Sequence, residues 1–397
     1  MTLHDLLQPH IDNGSLPGAV ALVAHDDQID LAAVGSTAIN AATPMTPDSI
    51  FRLASITKPI TAAAVMILIE DGHLTLDAPI HKWLPELATP MVVRTPTSEI
   101  DDVIPAARPI TVRDLLTSTA GYGFASDFSL PAVQRLFPVQ RDGREVRSFP
   151  HADAWLAELA EVPLLYQPGE AYLYDTCSTI QGVLISRASG QSLPDFLAER
   201  VFEPLGMVDT AFEVPAAKRD RFTSYYRTGA DGGLELGDGP DGQWSSLPAF
   251  PLGNGGLAGT AYDWLAFARM LLAGGVMKDG RRLLSAESVR LMTSDHTTPA
   301  QRGIGELFLE GQGWGFGGSV DIAPLEPWNV PGRYGWVGGT GTSAHIIPST
   351  GSTKNTRSTK NTNNSGKVTI FLAQVGTDSP VPSTWMQDFW RYAATAE

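Results

Sequence analysis

The chain has one cysteine, Cys177, so no disulfide can form within it. That absence fits a reducing compartment and leads us to expect a cytoplasmic protein. Positive charge is also scarce. Twenty-eight Lys and Arg face 43 Asp and Glu, a formal charge of −15. Such a surface repels phosphate backbones and anionic headgroups, which argues against nucleic-acid and membrane partners. Long apolar runs are missing as well. The longest, Ala62 to Ile69, is far too short to span a bilayer. "MTLHDLLQPHIDNG" has no basic stretch followed by an apolar one, so no signal peptide is expected. No G-x-S-x-G elbow, P-loop or H-E-x-x-H occurs, and the eight histidines do not cluster. Neither a metal nor an organic cofactor is expected.

Core material is present instead. Of 397 residues, 43% are hydrophobic and 18% charged, enough for two or three packing units. Residues 18–26 and 28–36 predict two strands joined in a hairpin at Asp26-Asp27. Helical periodicity marks 3–13, 59–71, 151–161, 178–189, 193–203 and 260–275. It also marks a closing helix at 383–395 with Trp385, Phe389 and Tyr392 on one face. Further strands are expected at 341–348 and 367–374. Strands thus cluster at the two ends of the chain. The simplest arrangement is an α/β (α+β) fold: an antiparallel sheet built from both ends, flanked by helices, around an inserted, mostly helical region. This predicts a discontinuous domain of 1–85 and 255–397 and an insertion over 86–254. The segment 349–366 repeats Ser-Thr-Lys-Asn-Thr without an apolar residue, which predicts a flexible loop.

One stretch, "FRLASITKPI" (51–60), combines chemistry with position. Proline fits the first turn of a helix, where its missing N–H leaves no bond unmade. Pro59 therefore marks a helix start and sets Ser55 and Lys58 in that turn, on one face. A serine hydroxyl is a poor nucleophile until a base takes its proton. A lysine serves as that base once burial lowers its pKa, and Ala62, Ala63, Ala64 and Val65 supply apolar surroundings. Only seven lysines occur and Ser-x-x-Lys occurs once. By letters alone the tetrad can arise by chance; its placement at a helix start singles it out. Cys177 and His345 read as packing residues, and Gly315-Phe316-Gly317-Gly318 reads as a turn.

The tetrad resembles the first motif of the serine β-lactamase and penicillin-binding-protein superfamily. Other stretches match in order: "GSLPGAVALVAHDDQI", "ITVRDLLTSTAGYG", "QPGEAYLYDTCSTIQGVLISRASGQSL", "VFEPLGMVDTAF" and "YGWVGGTGTSAHIIP". Together they resemble the class C β-lactamase-like esterases called family VIII carboxylesterases. The resemblance implies the serine β-lactamase-like fold and cleavage of short-chain carboxylic esters, small-molecule substrates, through an acyl-enzyme on Ser55. It implies Lys58 and Tyr174 as proton carriers, Tyr172 being the rival tyrosine. It also implies an oxyanion site from the Ser55 N–H and an N–H near Gly339, in the stretch Trp336-Val337-Gly338-Gly339. Tyr122, Trp314, Phe316 and Trp336 are expected to wall the pocket. Departures favour uncharged esters: Tyr174-Asp175-Thr176 ends in threonine rather than asparagine. Trp336 stands where β-lactamases carry a lysine, which Arg333 could replace, and Ser118 stands where a histidine is common. An acyltransferase, a β-lactamase or D-alanyl peptidase, and a non-catalytic penicillin-binding-like module remain alternatives. Oligomeric state is not legible.

Overall fold

The computed structural model describes residues 1–349, 366–377 and 382–395. Most of the 349–366 repeat lies outside the described residues. Helix α1, Leu3–Asp12, opens on a capping box in which the Thr2 hydroxyl accepts from the Asp5 N–H and the Asp5 carboxylate accepts from the Thr2 N–H. Strands β1, Gly18–His25, and β2, Gln28–Gly35, form the expected hairpin. Asp26 turns the chain with φ +52, a conformation that aspartate tolerates. Helices α2, Lys58–Glu70, α3, Thr176–Ser189, and α4, Ala261–Leu272, follow. The last third supplies β3, Gly313–Trp314, β4, Ser319–Val320, β5, Tyr334–Gly338, β6, Thr342–Ile347, and β7, Lys367–Ala373. Helix α5, Thr384–Thr395, closes the described chain.

These strands form one antiparallel sheet in the order β2-β1-β7-β6-β5-β4-β3. The chain ends meet in it: Ala19 of β1 lies opposite Ala373 of β7, and His25 opposite Lys367. β1 is apolar at almost every position because both its faces are covered. Val20, Leu22 and Ala24 face a core shared with α2, α3 and α4. Ala19, Ala21 and Val23 face a second layer with Leu3 and Leu7 of α1 and Phe389 and Trp390 of α5.

On α5, Phe389 is fully buried and its ring lies 5.3 Å from that of Phe371 on β7. Trp385 and Tyr392 pack at the edge of the same layer, and the Tyr392 hydroxyl donates to Asp30 at 2.6 Å. Phe389→Ala should therefore cost about 3–5 kcal/mol. A urea unfolding curve checks it; a change below about 1 kcal/mol would mean that α5 contributes little to the core.

Two elements depart from expectation. The glycine turn 315–318 is flanked by the short strands β3 and β4, which extend the sheet. A helix, Pro131–Gln140, lies in a stretch whose proline and serine content suggests loop. Its buried face, Ala132, Val133, Leu136 and Val139, outweighs the cost of Pro138 in its last turn.

Candidate active site

The chain reaches the site through Phe51-Arg52, a two-residue strand paired with Ala258-Gly259. Ala54 then adopts φ +48, uncommon for a residue with a Cβ. Surrounding bonds hold it there. The Leu53 N–H donates to Leu257 O at 2.8 Å. The hydroxyls of Thr340 and Thr342 donate to Arg52 O and Leu53 O at 2.7 and 2.8 Å. A 3₁₀ turn, Ala54–Thr57, leads into α2, with Pro59 as its second residue. Residues i and i+3 eclipse in a 3₁₀ turn. Lys58 accordingly sits beside Ser55, and its Nζ donates to Ser55 Oγ at 2.8 Å.

The Lys58 side chain is 1% exposed. Its Nζ also donates to Asn254 O at 2.9 Å and lies 2.7 Å from Asp175 Oδ1. Burial alone would push the ammonium down, but Asp175 and, next, Tyr174 more than offset it, so Lys58 titrates above its ordinary value. This corrects the expectation of a lysine lowered by apolar surroundings: the alanine face of α2 is there, but a carboxylate sits against the amine.

Tyr174 comes from the segment leading into α3. An isolated bridge to Phe124 positions it, through N–H to carbonyl bonds in both directions of 2.9 and 3.0 Å. Its hydroxyl lies 2.9 Å from Ser55 Oγ and accepts from Trp336 Nε1 at 2.8 Å. The Phe308 ring stacks on it with centroids 4.6 Å apart. Tyr172 is fully buried and turned to Trp314. Of the two tyrosines, only Tyr174 meets the serine.

The end of β5 abuts the Ser55 turn. A Cβ on Gly338 would stand 2.1 Å from Thr342 Oγ1, 2.6 Å from Leu53 O and 3.3 Å from Ala54 Cβ. Only glycine fits that approach. A Cβ on Gly339 would meet nothing within 4 Å; this residue faces the cleft. Gly338→Val should force β5 away from the turn. We expect it to cost about 1–3 kcal/mol of stability through overpacking. A variant that melts together with the wild type would contradict the fit.

Ser55 opens into a cleft of about 490 Å³. Trp336, Gly338 and Gly339 line it, with Phe128, Phe137 and Phe308 along one wall. Tyr122, Trp314 and Phe316, expected as walls, do not reach it. Trp314 packs behind Trp336, ring centroids 4.8 Å apart, Phe316 stacks on His296, and Tyr122 is sealed in the core. Arg333 does not reach the cleft either; it is buried 3.6 Å from Asp321 and over the Trp390 ring. The cleft's arginine, Arg144, pairs with Asp142 at 2.8 Å. Cys177 is sealed, and burial pushes its thiol up to about 12. Ser118 is buried with φ +57 in the loop after Val112–Leu116.

Sequence reasoning missed several neighbours. Asp175 accepts from Asn254 Nδ2 through both oxygens at 2.9 Å and from Gln140 Nε2 at 2.9 Å. Asn254 lies in a glycine-dense stretch, where no periodicity flags it. Phe137 lies on the unexpected helix Pro131–Gln140, Phe308 on the four-residue helix Glu306–Leu309, and Phe128 in the stretch before the first of these. Among the described residues, no group of His, Cys, Asp and Glu is arranged to hold a metal ion, and no helix is long and apolar enough to cross a membrane.

Known proteins share this arrangement of chain. The protein is 38% identical to Protein Rv1367c of Mycobacterium tuberculosis over 349 residues, 85% of this chain and 84% of that one. It is 32% identical to Esterase EstB of Burkholderia gladioli over 319 residues, 76% of this chain and 74% of the relative. Among solved structures, EstCE1, described as a hydrolase with promiscuous acyltransferase activity, superimposes with a TM-score of 0.76. It is 23% identical, covering 99% of this chain and 97% of its own, a likeness of fold. The fold inferred from the Ser-x-x-Lys turn and the strands at both chain ends is thus the serine β-lactamase one. With residues 3–376 matching its family model, this chain belongs to the Beta-lactamase family.

Proposed function

We propose that the protein is a serine carboxylesterase that cleaves uncharged esters with short acyl chains through an acyl-enzyme on Ser55. One observation carries this reading: a single hydroxyl at the cleft floor lies within hydrogen-bond distance of both the Lys58 amine and the Tyr174 phenol. The likeness to Esterase EstB supports it. The absence of a cation from the β5 position taken by Trp336, with Arg333 buried elsewhere, supports uncharged substrates over β-lactams carrying a carboxylate.

In this reading Ser55 Oγ attacks the ester carbonyl carbon and its proton passes to the Lys58–Tyr174 pair. Tyr174, beside Oγ, hands a proton to the departing alkoxide. Water then attacks the acyl-enzyme, gives its proton to the same pair, and Ser55 leaves reprotonated. The Ser55 N–H and an N–H near Gly339 hold the oxyanion. Residues 86–254 are the second domain, which contributes Tyr174 and Asp175 to the cleft. The substrate is a small molecule, with neither nucleic acid nor membrane as partner. A chain with one cysteine and no disulfide to preserve is assigned to the cytoplasm.

A substrate panel tests this. p-Nitrophenyl acetate and butyrate should turn over with kcat/KM at least 10²-fold above nitrocefin. Predominant nitrocefin turnover would favour a β-lactamase. Predominant formation of a new ester in the presence of added alcohol would favour an acyltransferase. Failure of every ester would leave the non-catalytic reading.

A further inference from the structure

The residue after Tyr174 has no role in the chemistry above, yet the fold invests heavily in it. Asp175 has φ +84 and ψ −62, and the Thr176 N–H donates to Tyr174 O at 3.2 Å. These values describe a γ-turn of the rare, strained kind, centred on a residue with a Cβ. The turn lets consecutive side chains reach the same amine: Tyr174 arrives over Lys58, its ring 4.7 Å from Nζ, and Asp175 lies 2.7 Å from Nζ. The carboxylate is clamped in place by Asn254 Nδ2 and Gln140 Nε2. Each of these amides turns its N–H to Asp175 and leaves its own oxygen buried without a partner among the described residues. Such an orientation suits a charged acceptor.

The contacts of the lysine bear on its state. Three oxygens lie within reach of Nζ: Ser55 Oγ, Asn254 O and Asp175 Oδ1. An ammonium, with three N–H groups and no acceptor, can serve all three at once, and the Asp175 carboxylate at 2.7 Å is what favours that charged form over a neutral amine accepting from the Ser55 hydroxyl. The titratable groups facing Lys58 are Asp175 and Tyr174, both from the segment before α3; Ser55 and Asn254 complete its surroundings.

We propose that Asp175 is a positioning residue that holds Lys58 as a permanently donating ammonium, so that the proton leaving Ser55 is relayed by Tyr174. The proposal rests on the esterase reading and refines it. As the Oγ–carbon bond forms, the Ser55 O–H bond breaks and its proton moves to the Tyr174 oxygen while, in the same event, the phenol proton moves to the alkoxy oxygen of the ester, so Tyr174 is a neutral phenol before and after. The carbon–oxygen bond then breaks and the alcohol leaves with that proton. Deacylation runs the relay in reverse, with water in place of the alcohol. Lys58 keeps its three protons throughout and stabilises the partial negative charge that develops on Ser55 Oγ. The raised titration of Lys58 agrees with this arrangement.

The test combines direct titration of Lys58 with the pH profile of activity. Protein labelled with ¹⁵N-lysine is followed by NMR, with the Lys58 Nζ resonance assigned from Lys58→Arg. Hydrolysis of p-nitrophenyl acetate is measured over the same pH range and corrected for spontaneous reaction. In the wild type, kcat/KM should reach its plateau while Nζ is still an ammonium. Asp175→Asn should weaken proton binding at Nζ at least tenfold, one pH unit, and the alkaline loss of activity should move down with it. Asp175→Gly is the second variant, because glycine accepts the positive φ without strain; it should behave alike. An unchanged Nζ midpoint in both variants would overturn the proposal, as would wild-type activity that rises only as Lys58 loses its proton. Titration as expected with no ester turned over would uphold the hold on Lys58 and sink the esterase reading instead.

Discussion

Ser55→Ala lowers kcat on p-nitrophenyl butyrate by about 10⁴-fold or more. Removing the proposed nucleophile leaves only the binding and oxyanion contributions, and losses of this order or larger are usual for a serine in that role. KM should stay within a few-fold, because the cleft walls are untouched. The fold should be preserved, since Ser55 faces the cleft and the turn around it is held by Thr340, Thr342 and Leu257 rather than by its own hydroxyl. Steady-state kinetics checks both halves. Residual activity above about 1% in protein free of wild-type contamination would point to another nucleophile.

Lys58→Met has a comparable effect on rate, a loss of at least about 10³-fold, and adds a loss of stability. The variant removes a donor to Ser55 Oγ and leaves Asp175 facing a methionine. Breaking a buried ion pair from one side costs about 3–5 kcal/mol, because a charge stays behind without its partner. Lys58→Met/Asp175→Asn removes both charges and should recover much of that stability while staying inactive. Thermal unfolding and ester turnover on the two variants separate these effects. Stability of the single variant equal to wild type would show that the pair contributes nothing. The sign of the pH dependence follows from the raised titration of Lys58. The pair stabilises the fold below the ordinary lysine range, and this contribution is lost as pH climbs through the higher folded-state value.

The parts of this site that could be read from the sequence are those set by short range or by backbone sterics. Ser55 and Lys58 are three apart, and Pro59 next to them fixes the helical phase. Gly338 and Gly339 are legible through resemblance, and the structure supplies a steric reason at Gly338 alone, where a Cβ would run into Thr342 and Leu53. The unbroken apolar run of β1 announces a strand covered on both faces.

Tyr174 was legible only through resemblance. It lies 119 residues from Ser55, and nothing local to it says that the two meet. Asp175 was in plain view beside it, but its partner is distant in sequence and its γ-turn leaves no signature in residue type. That gap explains the mistaken expectation of a lowered lysine: the apolar helix face could be seen, the carboxylate that overrides it could not. The pocket walls failed differently. Trp314, Trp336, Phe316 and Phe308 are all large aromatics near one end of the sheet, and composition does not tell which ones face solvent. In the sheet order β5-β4-β3, Trp336 of β5 reaches the cleft and Trp314 of β3 is buried behind it, and Phe308, from outside the sheet, covers Tyr174.

Everything proposed for this protein depends on one hydroxyl being the group that carries the acyl chain. Treating the protein with a fluorophosphonate and mapping the modified residue by peptide mass tests it most directly. The account predicts a single adduct on Ser55, formed in step with loss of esterase activity and absent from Ser55→Ala. Complete inactivation with Ser55 unmodified, or an adduct on any other side chain, would contradict it.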